Sequence, residues 1–166
     1  MPGWQEVISP ARPAPSMTAD PRVRGYLVQA LGHETGAVQL YLAQAGLAAL
    51  WALENESRRF RADALDELSH VERVMHRLLA LGVAPPAVSG PPLRLGRDVD
   101  QMLLVDRELE VDVIQLYERA RLYCARVRDR DSEELFADLL GEELEHLAHI
   151  DAWRAELLSG AVRSST

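Results

Sequence analysis

The sequence contains no lysine, and all 18 of its basic residues are arginine. That is a bias of composition and assigns no function by itself. It holds one cysteine, Cys124, which excludes an intrachain disulfide and any metal site built from several cysteines. Aromatic residues make up only 5% of the chain against 48% hydrophobic. The core is therefore aliphatic, which suits helix packing better than a sheet sandwich. Positive charge is outnumbered, leaving a net charge of −8. A nucleic-acid partner needs a basic patch to displace counterions, so that class is excluded and cations are favoured. No apolar run approaches the ~20 residues needed to cross a bilayer, and the N-terminus shows no continuous apolar signal core. No membrane partner is expected, and the expected location is cytoplasmic.

With 166 residues the chain is long enough for one domain with a real core. Residues 1–19 are proline-rich without sustained periodicity and read as a mobile tail. Asp20-Pro21 marks a helix start, and Leu27, Leu31, Glu34, Val38, Tyr41 and Ala45 follow at helical spacing. This first helix is predicted to end near Leu53, with Glu54-Asn55-Glu56-Ser57 turning the chain. A second helix runs to Leu81 and stops at Gly82. Asp98-x-x-Gln101 resembles a capping box and opens a third. Arg128-Asp129-Arg130 is the next turn, Asp131-x-x-Glu134 opens a fourth helix, and Ser159-Gly160 ends it. Residues 20–160 thus form the helical domain, and 161–166 a short tail with no fifth helix.

The segment 82–97 is rich in proline and glycine. A helix of ~27 residues is ~40 Å long, and sixteen extended residues reach ~50 Å. The segment can therefore run the length of the bundle. The expected fold is all-α, a ferritin-like four-helix bundle with a long crossover between helices two and three.

Two Glu-x-x-His steps lie inside these helices: Glu67 with His70, and Glu143 with His146. Residues three apart share a helix face, so each pair aims its donor atoms one way. A glutamate stands 33 residues before each pair, Glu34 and Glu110, and a tyrosine follows each by seven, Tyr41 and Tyr117. The constellation repeats at an offset of 76 residues. Any single glutamate on a helix is usually a solvated surface residue. All six of these fall on apolar stripes, where an unpaired charge costs several kcal/mol. Two Fe(II) ions carry +4 against the −4 of four carboxylates, and two glutamates plus two Glu-x-x-His units on four helices are the requirement of a di-iron centre. The remaining polar residues are expected to contribute less. Tyr41 either hydrogen-bonds the cluster or fills core space. Tyr117 and Cys124 read as core, His33 and His76 as surface, and His149 as a partly exposed helix histidine.

These residues resemble the bacterioferritin family. Leu31-Gly-His-Glu34, Glu67-x-x-His70, Asp98-Val-Asp-Gln-Met-Leu103, Glu110 and Glu143-x-x-His146 fall in that family's order and spacing, across about residues 22–160. The resemblance implies that Glu34 and Glu110 each end on one iron, that Glu67 and Glu143 bridge both, and that His70 and His146 complete one iron each. It also matches Tyr41 to a tyrosine beside the centre and Trp51 to a tryptophan near the first turn. Three positions depart from the family. The resemblance puts Leu68 at the haem-ligand methionine and Ala62 at an inner-surface histidine whose acidic partner is kept as Asp66, and no counterpart of the short C-terminal helix lining a cage axis is expected.

The implied function is ferroxidase activity with iron storage or detoxification. Fe(II) and O2 or H2O2 are the reactants, two iron ions per subunit the cofactor, and haem is not expected. At least a homodimer is expected, with a larger cage as the further assembly. Two rivals stand beside it: a non-storing dimeric di-iron oxidase or peroxidase, and a haem-free subunit of a mixed cage. Rubrerythrin-type electron transfer is disfavoured, because one cysteine cannot build its iron–sulfur site.

Overall fold

The computed structural model describes residues 20–88, 90 and 93–164, and the tail expected over 1–19 lies outside them. Four helices follow in order: α1 Pro21–Leu50, α2 Glu54–Ala80, α3 Val99–Val127 and α4 Arg130–Ser164. Asp20 caps α1 by accepting from the backbone N–H groups of Arg22 at 2.8 Å and Val23 at 3.2 Å. Proline follows at the first helical position, where its missing N–H costs nothing.

The first turn is tighter than the sequence suggests. Only Trp51, Ala52 and Leu53 connect α1 to α2, and Glu54 already belongs to α2. Ala52 adopts a left-handed φ of 58°, which reverses the chain in so few residues. Glu54 and Glu56 then lie in the first turn of α2, where carboxylates complement the positive end of the helix dipole. The start of α4 also differs from expectation. Its capping side chain is Asp129, not Asp131: Asp129 accepts from Ser132 N at 3.1 Å and from Ser132 Oγ at 2.9 Å. At the far end, Ser159-Gly160 does not stop α4, which continues to Ser164. Glycine inside a helix costs about 1 kcal/mol relative to alanine, but it terminates one mainly by taking positive φ. Among the described glycines Gly82 alone does so, at 73°, directly after α2.

α1 packs chiefly on α2 and α3 on α4. Neighbouring helices run antiparallel: Arg59 pairs with Glu156 and Arg77 with Asp131 along α2 and α4. Tyr41 meets Glu110, and Gln44 meets Asp106, along α1 and α3. The segment between α2 and α3 returns the chain along the bundle, as its length requires. It presses closely on α1, since a Cβ on Gly90 would sit 2.8 Å from the Cα of Gly36. Asp98 caps α3 by accepting from Gln101 N at 2.8 Å.

The apolar core comes in two parts. One gathers Leu27, Leu31, Val74, Leu78, Tyr117 and Phe136. The other gathers Tyr41, Phe60, Met102, Leu103, Ile150 and Trp153. Between them, across the middle of all four helices, lies a layer of buried carboxylates and imidazoles.

Candidate metal centre

Each helix contributes to this layer: Glu34 from α1, Glu67 and His70 from α2, Glu110 from α3, Glu143 and His146 from α4. The four glutamates are at most 1% exposed and His70 is 5% exposed, so water does not compensate their charge. The structure brings all six residues together in two interlocking sets. Glu34, Glu67, His70 and Glu143 form one, and Glu67, Glu110, Glu143 and His146 the other, with donor atoms in each set within 4.8 Å of one another. Glu67 and Glu143 belong to both.

The histidines point Nδ1 inward. His70 Nδ1 lies 3.1 Å from Glu67 Oε2, 2.9 Å from Glu143 Oε1 and 3.7 Å from Glu34 Oε2. His146 Nδ1 lies 3.0 Å from Glu67 Oε1, 3.4 Å from Glu110 Oε1 and 3.9 Å from Glu143 Oε2. Each central carboxylate thus turns one oxygen to each histidine. Even so, Glu34 Oε1 and both oxygens of Glu143 are buried without a hydrogen-bond partner among the described residues. A buried carboxylate oxygen without a donor is costly, and a cation between the helices removes that cost. The oxygen and nitrogen donors suit a first-row transition metal such as iron.

Proton affinities follow from this crowding. Burial, with Glu67 and Glu143 adding to it, pushes the Glu34 carboxyl well above the usual range despite the nearby His70. Burial and the charges of Glu143 and Glu67 do the same to Glu110. Burial would also raise Glu67, but the close approach of His146, the hydrogen bond with His70 and the neighbouring Glu34 outweigh it and hold Glu67 at about 2. Burial opposes charge on the histidines, yet the surrounding glutamates prevail: His70 is raised, and His146 is raised to about 11. Without metal, protons on these groups do the neutralising.

Tyr41 donates its hydroxyl to Glu110, which settles its role in favour of the cluster. Tyr117 is core, packed on Phe136 with ring centroids 5.6 Å apart. Cys124 is buried, and burial pushes its thiol up to about 12, so it is no nucleophile. His76 and His149 are exposed, whereas His33, expected at the surface, is half-buried with its Nδ1 enclosed. His33 lines a cleft of about 190 Å³ with Leu40, Leu93 and Arg94, so the returning crossover shields it.

Sequence reasoning missed an outer ring of polar groups. Glu142 lies 2.9 Å from His70 Nε2 and is itself gripped by Arg73 at 2.7 and 2.8 Å. Asp63 stands 3.9 Å from His146 Nε2. Gln44 donates to Asp106 at 2.6 Å, both fully buried. Asp106 lies one turn before Glu110 on the same stripe, and that spacing was the one signal available. On the α2–α4 surface a cleft of about 240 Å³, lined by Asp66, Glu145 and His149 among others, reaches His70 and His146.

The family model for the ferritin-like domain matches residues 25–158. The bacterioferritin of Rhodobacter capsulatus is 30% identical over 135 residues, covering 81% of this chain and 84% of that protein. The bacterioferritin of Brucella melitensis is 28% identical over the same shares. A bacterial ferritin of Synechocystis is 28% identical, covering 80% of this chain and 85% of its own. A solved structure of the Rhodobacter capsulatus bacterioferritin superposes with a TM-score of 0.81 at 29% identity, covering 84% of this chain and 87% of that one. That protein has a metal-free dinuclear site and a haem iron on a crystallographic special position.

Proposed function

Because the chain belongs to the ferritin-like family as a homologue of the bacterioferritins, we propose that it is a ferroxidase that oxidises Fe(II) within each subunit and stores or detoxifies the product. The observation carrying this reading is the pair of interlocking donor sets that share Glu67 and Glu143. Glu34 and His70 complete one half-site, Glu110 and His146 the other. Two Fe(II) ions are the substrate, each giving one electron. Together they reduce O2 to H2O2, or H2O2 to two waters, with two protons consumed in either case.

The protein's part is to hold, orient and neutralise. Four carboxylates balance the charge of two dications in a site where water does not. Glu67 and Glu143, which belong to both donor sets, would serve both positions. Metal uptake would displace protons from these ligands, because a metal binds the neutral imidazole and the ionised carboxylate. Tyr41 fixes Glu110 through its hydroxyl, and Glu142 fixes His70.

The non-storing oxidase keeps support from the cleft that reaches His70 and His146. Its acidic and histidine lining is built to admit cations rather than an apolar organic substrate. Among the described residues no helix is long and apolar enough to cross a membrane. The assembly proposed is at least a homodimer, with a cage as the storing form. Aerobic Fe(II) loading followed by native mass measurement tests this reading. A homo-oligomer that retains many more than two irons per chain supports storage. Rapid oxidation with release of all iron supports the oxidase, and absence of accelerated oxidation overturns both.

A further inference from the structure

Two clefts on this bundle pair each arginine in their walls with a carboxylate: Arg73 with Glu142, Arg77 with Asp129 and Arg94 with Glu108. A cleft between the start of α1 and the end of α3 does not. It measures about 270 Å³ and is lined by Arg22, Tyr26, Arg119, Leu122, Tyr123 and Arg126, with no acidic residue among them. None of its three arginines forms an ion pair among the described residues. In a chain of net charge −8, this cleft concentrates charge of the minority sign.

Its donors are held in place before any ligand arrives. Tyr26 and Tyr123 stand with ring centroids 5.9 Å apart. The Arg22 guanidinium lies 5.7 and 4.8 Å from these two rings, and that of Arg126 lies 4.7 Å from the Tyr123 ring. Cation–π contact restrains both long side chains, so less freedom is lost on binding. Tyr26 is 8% exposed. Its hydroxyl accepts from Arg22 Nη2 at 3.4 Å, and its own proton has no acceptor among the described residues. Asp20, outside the lining, is engaged as the α1 cap and accepts from the Tyr123 hydroxyl at 3.2 Å. Its single charge acts on Arg126 and leaves positive charge in excess.

We propose that this cleft binds a phosphate group, carried by inorganic phosphate or by a small phosphate monoester. Guanidinium forks match phosphate oxygens in pairs. A tetrahedral dianion also offers oxygens to several donors at once, where a carboxylate offers only two. Arg22, Arg119 and Arg126 supply the charge, and the Tyr26 hydroxyl a further donor. The site stands apart from the metal centre: Tyr26 precedes Glu34 by eight residues, about 12 Å of helix.

The test is calorimetric titration of the metal-free, full-length protein with inorganic phosphate and, separately, with glycerol 1-phosphate, at constant ionic strength in chloride. One saturable site per chain is expected. Arg22→Gln, Arg119→Gln and Arg126→Gln should each weaken it on the order of tenfold, and Tyr26→Phe more mildly. All three arginines are exposed, so thermal melts of these variants should match the parent. Arg61→Gln, at an exposed position of α2 outside the cleft, should leave binding unchanged. Equal affinity for the two titrants supports a site for phosphate itself, and clearly tighter binding of the monoester supports a phosphate-bearing small molecule. No saturable binding of either titrant, or binding retained in all three arginine variants, overturns the proposal and leaves the metal-centre reading untouched.

Discussion

The Nε2 atom of His70 lies 2.9 Å from a carboxylate oxygen of Glu142, while its Nδ1 faces Glu67 and Glu143 in the core. The outer bond orients the ring and leaves the inner nitrogen free to serve as a ligand, as such second partners do in metal sites. Glu142 is half-exposed, so its removal does not open the core. Glu142→Ala is expected to weaken Zn(II) binding about 10- to 100-fold with the melting temperature of the metal-free protein little changed. Calorimetric titration measures the first and a thermal melt the second.

Proton linkage gives a second prediction, for the metal-free protein. Burial raises Asp106 from 3.8 to about 8, with Asp63 adding to the rise and Gln44 and His146 opposing it. The folded state therefore holds a proton that the unfolded state releases above its ordinary value. That contribution is complete below pH 4 and is lost as pH rises through 8. Relative to the parent, Asp106→Asn is expected to flatten the fall of stability with pH between 5 and 8, by up to about 1.4 kcal/mol per pH unit. It should also be the more stable protein at pH 8. Urea melts across that range check it, and parallel curves for the two proteins would contradict it.

The crossover supplies a third. A methyl on Gly90 would meet backbone of Gly36 at 2.8 Å, and backbone inside α1 does not yield easily. Gly90→Ala is expected to cost about 1–3 kcal/mol. Gly46, also in α1, has nothing within 4 Å of its added methyl, so Gly46→Ala should instead stabilise by up to about 1 kcal/mol. Opposite signs in the two melts are the expected result.

Haem supplies a fourth. Leu68, which the resemblance matches to a haem-ligand methionine, lies on α2 and is 42% exposed. Leucine offers iron no lone pair, and in the proposed homodimer two-fold symmetry would repeat it on the partner subunit. Met75 is seven residues on, about 10 Å along the helix, and does not replace it. Protein purified from haem-replete cells is expected to show no Soret band at one haem per dimer. A band appearing only after mixing with a methionine-bearing homologue would favour the mixed cage.

The bundle was legible because its polar layer breaks the apolar stripes at regular places. Glu34, Glu67, His70, Glu110, Glu143 and His146 recur with one offset, and recurrence separates them from the other acidic residues. The helix ends were less legible. Asp129 and Asp131 are both acceptable caps, and only the backbone decides between them. Gly160 reads as a stop, but α4 passes through it. Gln44 and Asp106 were barely legible, because they break the repeat that identified their neighbours and only the spacing of Asp106 from Glu110 pointed to either. Each is a single polar residue on a stripe, and only the bundle brings the two within 2.6 Å.

The central claim is that Glu67 and Glu143 join two metal positions in one subunit. Anaerobic Fe(II) titration of the metal-free protein, with the Glu67→Ala and Glu143→Ala variants beside it, tests this most directly. The parent is expected to saturate at two Fe(II) per chain and to oxidise them rapidly when O2 is admitted. Each variant is expected to lose the paired site and the fast phase. Saturation at one ion or none in the parent, or unchanged stoichiometry and rate in both variants, would contradict the account.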